Sequence, residues 1–168
     1  MSPKPTGHVR GNDLILTRTF RAPIDDVWTS VTDSESTARW IGRWEGDAGP
    51  GKTVRLQMLH EQGQPWSDVT IERCDPPRHL ALTTKDDFGE WRLELTLTQT
   101  GDTTELRFVH HLSDRNLAAD AGPGWEYYLD MLAAAREGRP LPSFDDYYPA
   151  QKAHYVEAAA DAVDRPRG

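Results

Sequence analysis

From Leu14 to Phe20 the apolar residues Leu14, Leu16 and Phe20 share one face, broken only by Arg18, while Thr17 and Thr19 fall on the other. A two-residue period marks a half-buried strand. The period then lengthens. Pro23 stands where a first helical residue belongs, Asp25 and Asp26 fall in the first turn, and Ile24, Val27, Trp28 and Val31 recur at helical spacing. This predicts a short amphipathic helix ending near Asp33. Ser34 as a cap, then Ala38, Trp40 and Ile41, with Gly42 as a stop, predict a second short helix.

Alternation returns and holds as far as Ser113. Val54, Leu56 and Met58 precede a Glu61-Gln62-Gly63-Gln64 turn, and Val69 and Ile71 precede Asp75-Pro76-Pro77, whose prolines stop a ladder. Leu80 and Leu82 lead to Asp86-Asp87-Phe88-Gly89. Trp91, Leu93, Leu95 and Leu97 alternate up to the tight turn Thr100-Gly101-Asp102-Thr103, and Leu106, Phe108 and His110 complete the series. These runs predict about five antiparallel strands. Beyond Ser113, Trp125, Tyr128, Leu129 and Leu132 fall at i, i+3, i+4 and i+7, one face of a long helix within 116–136. Gly122-Pro123-Gly124 should delay its start to Trp125 or kink it, and Gly138 and Pro140 end it. An acidic and aromatic stretch, Pro142 to Tyr148, precedes an Ala-rich last helix over 149–163.

The long helix needs a partner for its apolar face, and the sheet is the surface large enough to serve. A long antiparallel sheet twists and curls, so a helix across its hollow side leaves a gap that the two short helices close at one end. The expected organisation is a flexible segment over 1–13, a single domain over 14–163 and a frayed tail over 164–168.

Composition narrows the function. The 168 residues are 37% hydrophobic yet include six Trp, and the mean hydropathy is −0.70. The formal charge of −8, with a sequence pI near 5.2 and no basic stripe, repels nucleic acid and anionic membranes. The polar start of the chain and the lack of a run of about 18 apolar residues argue against membrane insertion, so a cytoplasmic place is expected. Cys74, the lone cysteine, excludes an internal disulfide and a cysteine-based metal cluster, and is expected to be a buried structural thiol.

Several short motifs stand in a specific order: Arg18-Thr19-Phe20-Arg21-Ala22-Pro23 with Val27-Trp28, then Arg39-Trp40, Asp75-Pro76-Pro77-Arg78-His79-Leu80, Val109-His110, and Gly124-Trp125 followed by Leu129 and Leu132. Through them the chain, from about Leu14 to Arg136, resembles the activator-of-heat-shock-ATPase homologue (AHSA-like) domains of the SRPBCC, or START-like, superfamily. The resemblance implies an α+β helix-grip fold like that of the birch-pollen allergen, a curved antiparallel sheet wrapped around a long C-terminal helix. It also implies a ligand groove between sheet and helix. A chaperone partner and a stress-response role follow from the family name alone, and cyclase, hydratase or dehydratase activity from relatives of the fold. No extra N-terminal domain of the kind carried by eukaryotic activators is expected, which ranks the chaperone reading lower.

The residues propose the lining of that groove independently. Met58, Val69, Leu82, Trp91, Leu93, Phe108 and His110 should face Trp125, Tyr128, Leu129 and Leu132, with Trp28, Trp40 and Ile41 at the closed end. Such a lining suits a small hydrophobic or aromatic ligand, a lipid or polyketide, although the same side chains could simply fill a core. His110 and His111 point to opposite faces of a strand, and alternation with Phe108 turns His110 inward. There it could orient a ligand, act as acid or base near neutral pH, or be a hydrogen-bonded structural histidine.

Other chemistry is disfavoured. Adjacent strand histidines cannot share a metal, and His8, His60, His79 and His154 lack ligand spacing, so no metal is expected. Gly46, Gly51, Lys52 and Thr53 match the letters of a phosphate-binding loop, but a helix precedes them and a strand follows, the reverse of what that loop requires. Neither a dinucleotide fingerprint nor a nucleophile elbow occurs, and no cofactor is expected. The pairs Asp25-Asp26, Asp86-Asp87 and Asp145-Asp146 sit at helix starts or turns as solvated carboxylates. Phe144 to Pro149, with Tyr147 and Tyr148, could cover the groove mouth, form a subunit interface or pack on its own domain. A homodimer also fits an acidic chain with such a tail.

Overall fold

The computed structural model of the chain describes residues 3–86 and 89–163. Strand β1 (His8–Arg10) turns back on β2 (Asp13–Phe20), and helices α1 (Ile24–Thr32) and α2 (Ser34–Thr37) follow. Strands β3 (Gly42–Glu45), β4 (Thr53–Met58), β5 (Trp66–Asp75), β6 (His79–Asp86), β7 (Gly89–Thr100) and β8 (Thr103–His111) come next. A single 3₁₀ turn leads into α3 (Ala118–Glu137), and a second precedes α4 (Lys152–Val163). All eight strands form one antiparallel sheet in the order β1-β2-β8-β7-β6-β5-β4-β3, so the chain's first hairpin meets the last strand. With α3 laid over the inner face, this is the helix-grip fold. Among the described residues no helix is long and apolar enough to cross a membrane.

Alternation located the strands because large apolar residues carry it. Cross-strand partners fall in rows on the inner face: Leu14, His110, Leu93, Leu82 and Ile71 in one, and Leu16, Phe108, Leu95, Leu80 and Cys74 in another. Five elements depart from the sequence reading. Val9 pairs with Leu14, and the Thr6 and Gly7 amides donate to Glu126, so part of the segment expected to be flexible is tied down. Strand β3 was unforeseen. Ser34 does not cap α2; Asp33 does, accepting from the Ser36 amide, while the Ser34 hydroxyl donates to the Trp44 carbonyl and accepts from its amide, which pins β3. Trp40 and Ile41 therefore lie in the turn after α2 and not on a helix.

Helix α3 also differs, running unbroken through Pro123. Proline there removes one helical donor, and the neighbouring glycine has a positive reason to be small. A Cβ on Gly122 would stand 2.6 Å from three ring carbons of Tyr155 on α4. Gly138, at φ 66°, ends the helix in the left-handed conformation. The last helix begins three residues later than its apolar pattern suggests, after a turn over 147–151. Cys74 is half-buried and not enclosed, because it follows a register shift near the end of β5. The turn expected at Asp86-Asp87-Phe88-Gly89 and the tail over 164–168 lie wholly or partly outside the described residues.

Packing divides the sheet. Of the strands, β2 lies nearest the backbone of α3. On that side Leu14, Leu16, Leu106 and Phe108 are buried with Leu129, Met131 and Leu132. On the other side Leu56, Met58, Leu82 and Leu93 are only half-buried. The helix grips one half of the sheet and leaves the other as a groove wall.

Candidate functional site

Five aromatic rings from β7, β8 and α3 meet along the groove. Trp91 stacks on His110 with centroids 4.8 Å apart, and Trp125 stands edge-on to both at 6.2 Å. Trp125 also lies 4.5 Å from Phe108 and 6.0 Å from Tyr128. Alternation explains three of these, since Phe108 and His110 share the inward face of β8 and Trp91 that of β7. Helical spacing brings Trp125 and Tyr128 above them. At this level Trp125 packs against the aromatic rows, and beside it Leu82, Leu93 and Met58 remain half-buried.

His110 is only 4% exposed and is held in one form. The Trp125 indole N–H, which can only donate, gives its proton to His110 Nδ1 at 3.1 Å. A neutral imidazole accepting at Nδ1 carries its proton on Nε2. Burial, aided by neighbouring His111, lowers the pKa to about 4, so the ring is neutral at physiological pH. Such a ring can donate a hydrogen bond from Nε2, but it has no free lone pair with which to take up a proton. His111 faces the opposite side, as alternation requires, between Asp13 (2.7 Å) and Glu94 (3.3 Å).

Across the groove mouth the Tyr128 hydroxyl donates to Glu61 in the β4–β5 loop at 2.7 Å, a bridge from helix to sheet. Burial and the Glu61 carboxylate push the Tyr128 pKa up, keeping the hydroxyl a donor. At the closed end a cleft of about 30 Å³ lies among Ser30, Ser36, Arg39, Trp40, Leu132, Ala135 and Arg136. A single water needs about 10–15 Å³ by this measure, so the cleft admits solvent and not an organic ligand.

The expected lining therefore separates into parts. Trp91, Phe108, His110, Trp125 and Tyr128 are together, with Leu82 and Leu93 in register beside them. Trp40 and Leu132 belong to the small cleft, and the Trp40 indole is committed to the Ser30 carbonyl. Val69 and Leu129 are buried in the core beneath the groove, while Trp28, Ile41 and Met58 are half-buried at its margins. Sequence reasoning missed Glu61, which nothing in a loop sequence aims at a helix, and Trp44, which donates to the Thr32 carbonyl.

It also missed a buried polar knot on the far face of α3. Glu126, 1% exposed, accepts from Thr6, Gly7, Arg18 and Tyr155, and Arg18 also pairs with Asp130. Burial alone would raise the Glu126 pKa, but the donors from Tyr155, Thr6 and Arg18 outweigh it and hold it below its ordinary value. The inward Arg18 in β2 was the available signal. The aromatic tail joins this side, with Tyr147 donating to Asp130 at 2.7 Å and Phe144 against Tyr127, so it packs on its own chain. Lys52 of the phosphate-loop-like segment pairs with Asp47 at 2.6 Å. Among the described residues no three His, Cys, Asp or Glu side chains cluster as metal ligands would.

A family model described as Activator of Hsp90 ATPase homolog 1-like protein matches residues 21–137. A comparison with curated proteins finds no match. Among solved structures, CalU16 from Micromonospora echinospora is 27% identical, with a TM-score of 0.71 over 91% of this chain and 89% of that one. The BPP1335 protein of Bordetella parapertussis is 26% identical, with a TM-score of 0.70 over 100% and 96%. DynU16, from the dynemicin biosynthetic locus, shares the fold at 22% identity, with a TM-score of 0.68 over 79% of this chain and 50% of its own.

Proposed function

The chain belongs to the Activator of Hsp90 ATPase homolog 1-like family, and from that premise we propose that it binds a small hydrophobic or aromatic molecule in the groove between sheet and α3. The observation that carries this reading is the uneven burial of the inner face. Side chains beneath α3 on β2 and β8 are sealed, whereas Leu82, Trp91, Leu93 and Trp125 present apolar surface that the protein leaves half-covered. Covering such surface is favourable by roughly 25 cal/mol per Å², and a flat ring system would cover it. The ligand lies beside Trp125, beneath the Tyr128–Glu61 bridge. Native mass spectrometry of freshly purified protein, followed by titration with aromatic probes read by tryptophan fluorescence, tests this. Saturable one-to-one quenching that Trp91→Ala weakens is expected. No saturable quenching by any probe would overturn it.

Regulation of a chaperone ATPase is the second reading, favoured by the description of the matching family. Stimulation of a purified chaperone ATPase by this chain would support it, and unchanged turnover at saturating chain would remove it.

A further inference from the structure

The groove wall is mostly apolar, with the Thr84 and Ser67 hydroxyls on its rows beside the His110 imidazole. His110 Nδ1 is occupied by the Trp125 indole, and among the described residues no hydrogen bond reaches Nε2. Among the described residues Gln151 Oε1 is the one buried side-chain polar atom left unpaired, so His110 Nε2 reaches space that solvent can enter. Its neighbour in the row is Leu93 and its stacking partner is Trp91, both on the groove wall. A nearby hydroxyl does not compete, because Thr84 Oγ1 is committed to the Asp68 carbonyl at 2.8 Å.

The charges nearby define what this donor can read. Glu61 stands at the mouth. Arg18 is spent on Glu126 and Asp130, and Arg136 on Asp26 and Ser30. A carboxylate or phosphate would find these two cations already spent and the Glu61 carboxylate at the mouth. A neutral acceptor meets neither problem.

We propose that the groove selects a flat apolar ligand bearing a neutral carbonyl, of aromatic ketone or quinone type, whose oxygen accepts the His110 Nε2–H while its rings lie along Trp91 and Leu93. This rests on the ligand-binding reading above and gives it a chemical class. His110 is then a specificity residue, and Trp125 a positioning residue that fixes its tautomer. A hydrocarbon of the same shape would displace water from Nε2–H and leave the donor unpaired, a cost of about 1–3 kcal/mol.

The test uses 9-fluorenone and fluorene, which differ by the carbonyl, titrated into the full chain and into His110→Phe by tryptophan quenching and calorimetry. Fluorenone should bind the unsubstituted protein about tenfold more tightly than fluorene, and His110→Phe should reduce that ratio to about one while fluorene affinity holds. In ¹⁵N-edited spectra of the unsubstituted protein, which do not depend on the variant folding, His110 should show the Nε2–H tautomer, and that proton should shift with fluorenone but not with fluorene. Equal affinity for the two probes, or an Nδ1–H tautomer, overturns the carbonyl inference and leaves ligand binding standing. Saturable binding of neither probe overturns both.

Discussion

Glu126→Gln probes the knot that ties both ends of the chain to α3. Oε2 accepts from the Thr6 and Gly7 amides and from Tyr155, and Oε1 accepts from the Thr6 hydroxyl and Arg18. Every partner donates, and glutamine has one acceptor oxygen. With the amide oxygen in the Oε2 place, the Thr6 hydroxyl can rotate to accept from the new NH₂, but the Arg18 guanidinium cannot. One charge-assisted hydrogen bond, worth about 1.5–3 kcal/mol, is lost. Arg18 keeps Asp130 as its one charged partner, besides its neutral acceptors Thr6 Oγ1 and the Thr17 carbonyl, in a site where its side chain is 14% exposed, so the cost should sit near the top of that range. For a chain of this size about 3 kcal/mol lowers the melting temperature by roughly 6–12 °C. The pH dependence has a definite sign. Because the folded pKa of Glu126 is depressed, its contribution is complete above the unfolded carboxyl value of about 4.3 and is lost as pH falls through the folded value. Urea unfolding of both proteins at pH 7 and in a series below pH 4.5 should show the gap narrowing as acid is added. A gap at pH 7 below about 0.5 kcal/mol, the scatter of ordinary surface substitutions, or one that stays constant into acid, would refute this account.

Gly122→Ala gains about 1 kcal/mol of helix propensity but drives a methyl group into Tyr155, so the overpacking cost of about 1–3 kcal/mol should win, giving a lower melting temperature; a more stable variant would show that α4 moves aside freely. Tyr128→Phe removes the bridge to Glu61 while keeping the ring, and should cost about 1 kcal/mol while raising the acrylamide quenching of tryptophan fluorescence. Unchanged quenching would mean that the bridge does not limit access to the groove.

How far the fold could be read from the chain depended on how many apolar residues marked each element. Strand β7 carries Trp91, Leu93, Leu95 and Leu97 on one face and is unmistakable. Strands β1 and β3 have three and four residues, with Val9 and Trp44 as their principal apolar members, too few to establish a period. They exist because of partners elsewhere, Leu14 for one and the Ser34 hydroxyl for the other. Pro123 misled for a related reason. Local rules weigh the lost hydrogen bond, but not the ring of Tyr155, more than thirty residues away, that presses on Gly122.

The candidate site shows the same boundary more sharply. Alternation alone turned His110 inward and His111 outward, and both point as expected. What His110 can do was not legible, because its proton is placed by Trp125, and that contact depends on how α3 is rotated and shifted against β8. Arg18 is the instructive opposite. In the strand pattern it is a fault in an apolar row, yet a cation turned inward needs a buried anion, and only α3 and the loops could supply one. Glu126 and Asp130, four residues apart, stand on the one face of α3 that turns away from the aromatic groove. A charged residue in the apolar row thus orients the helix: with its acidic side held to Arg18, the side bearing Trp125 and Tyr128 must face the open half of the sheet.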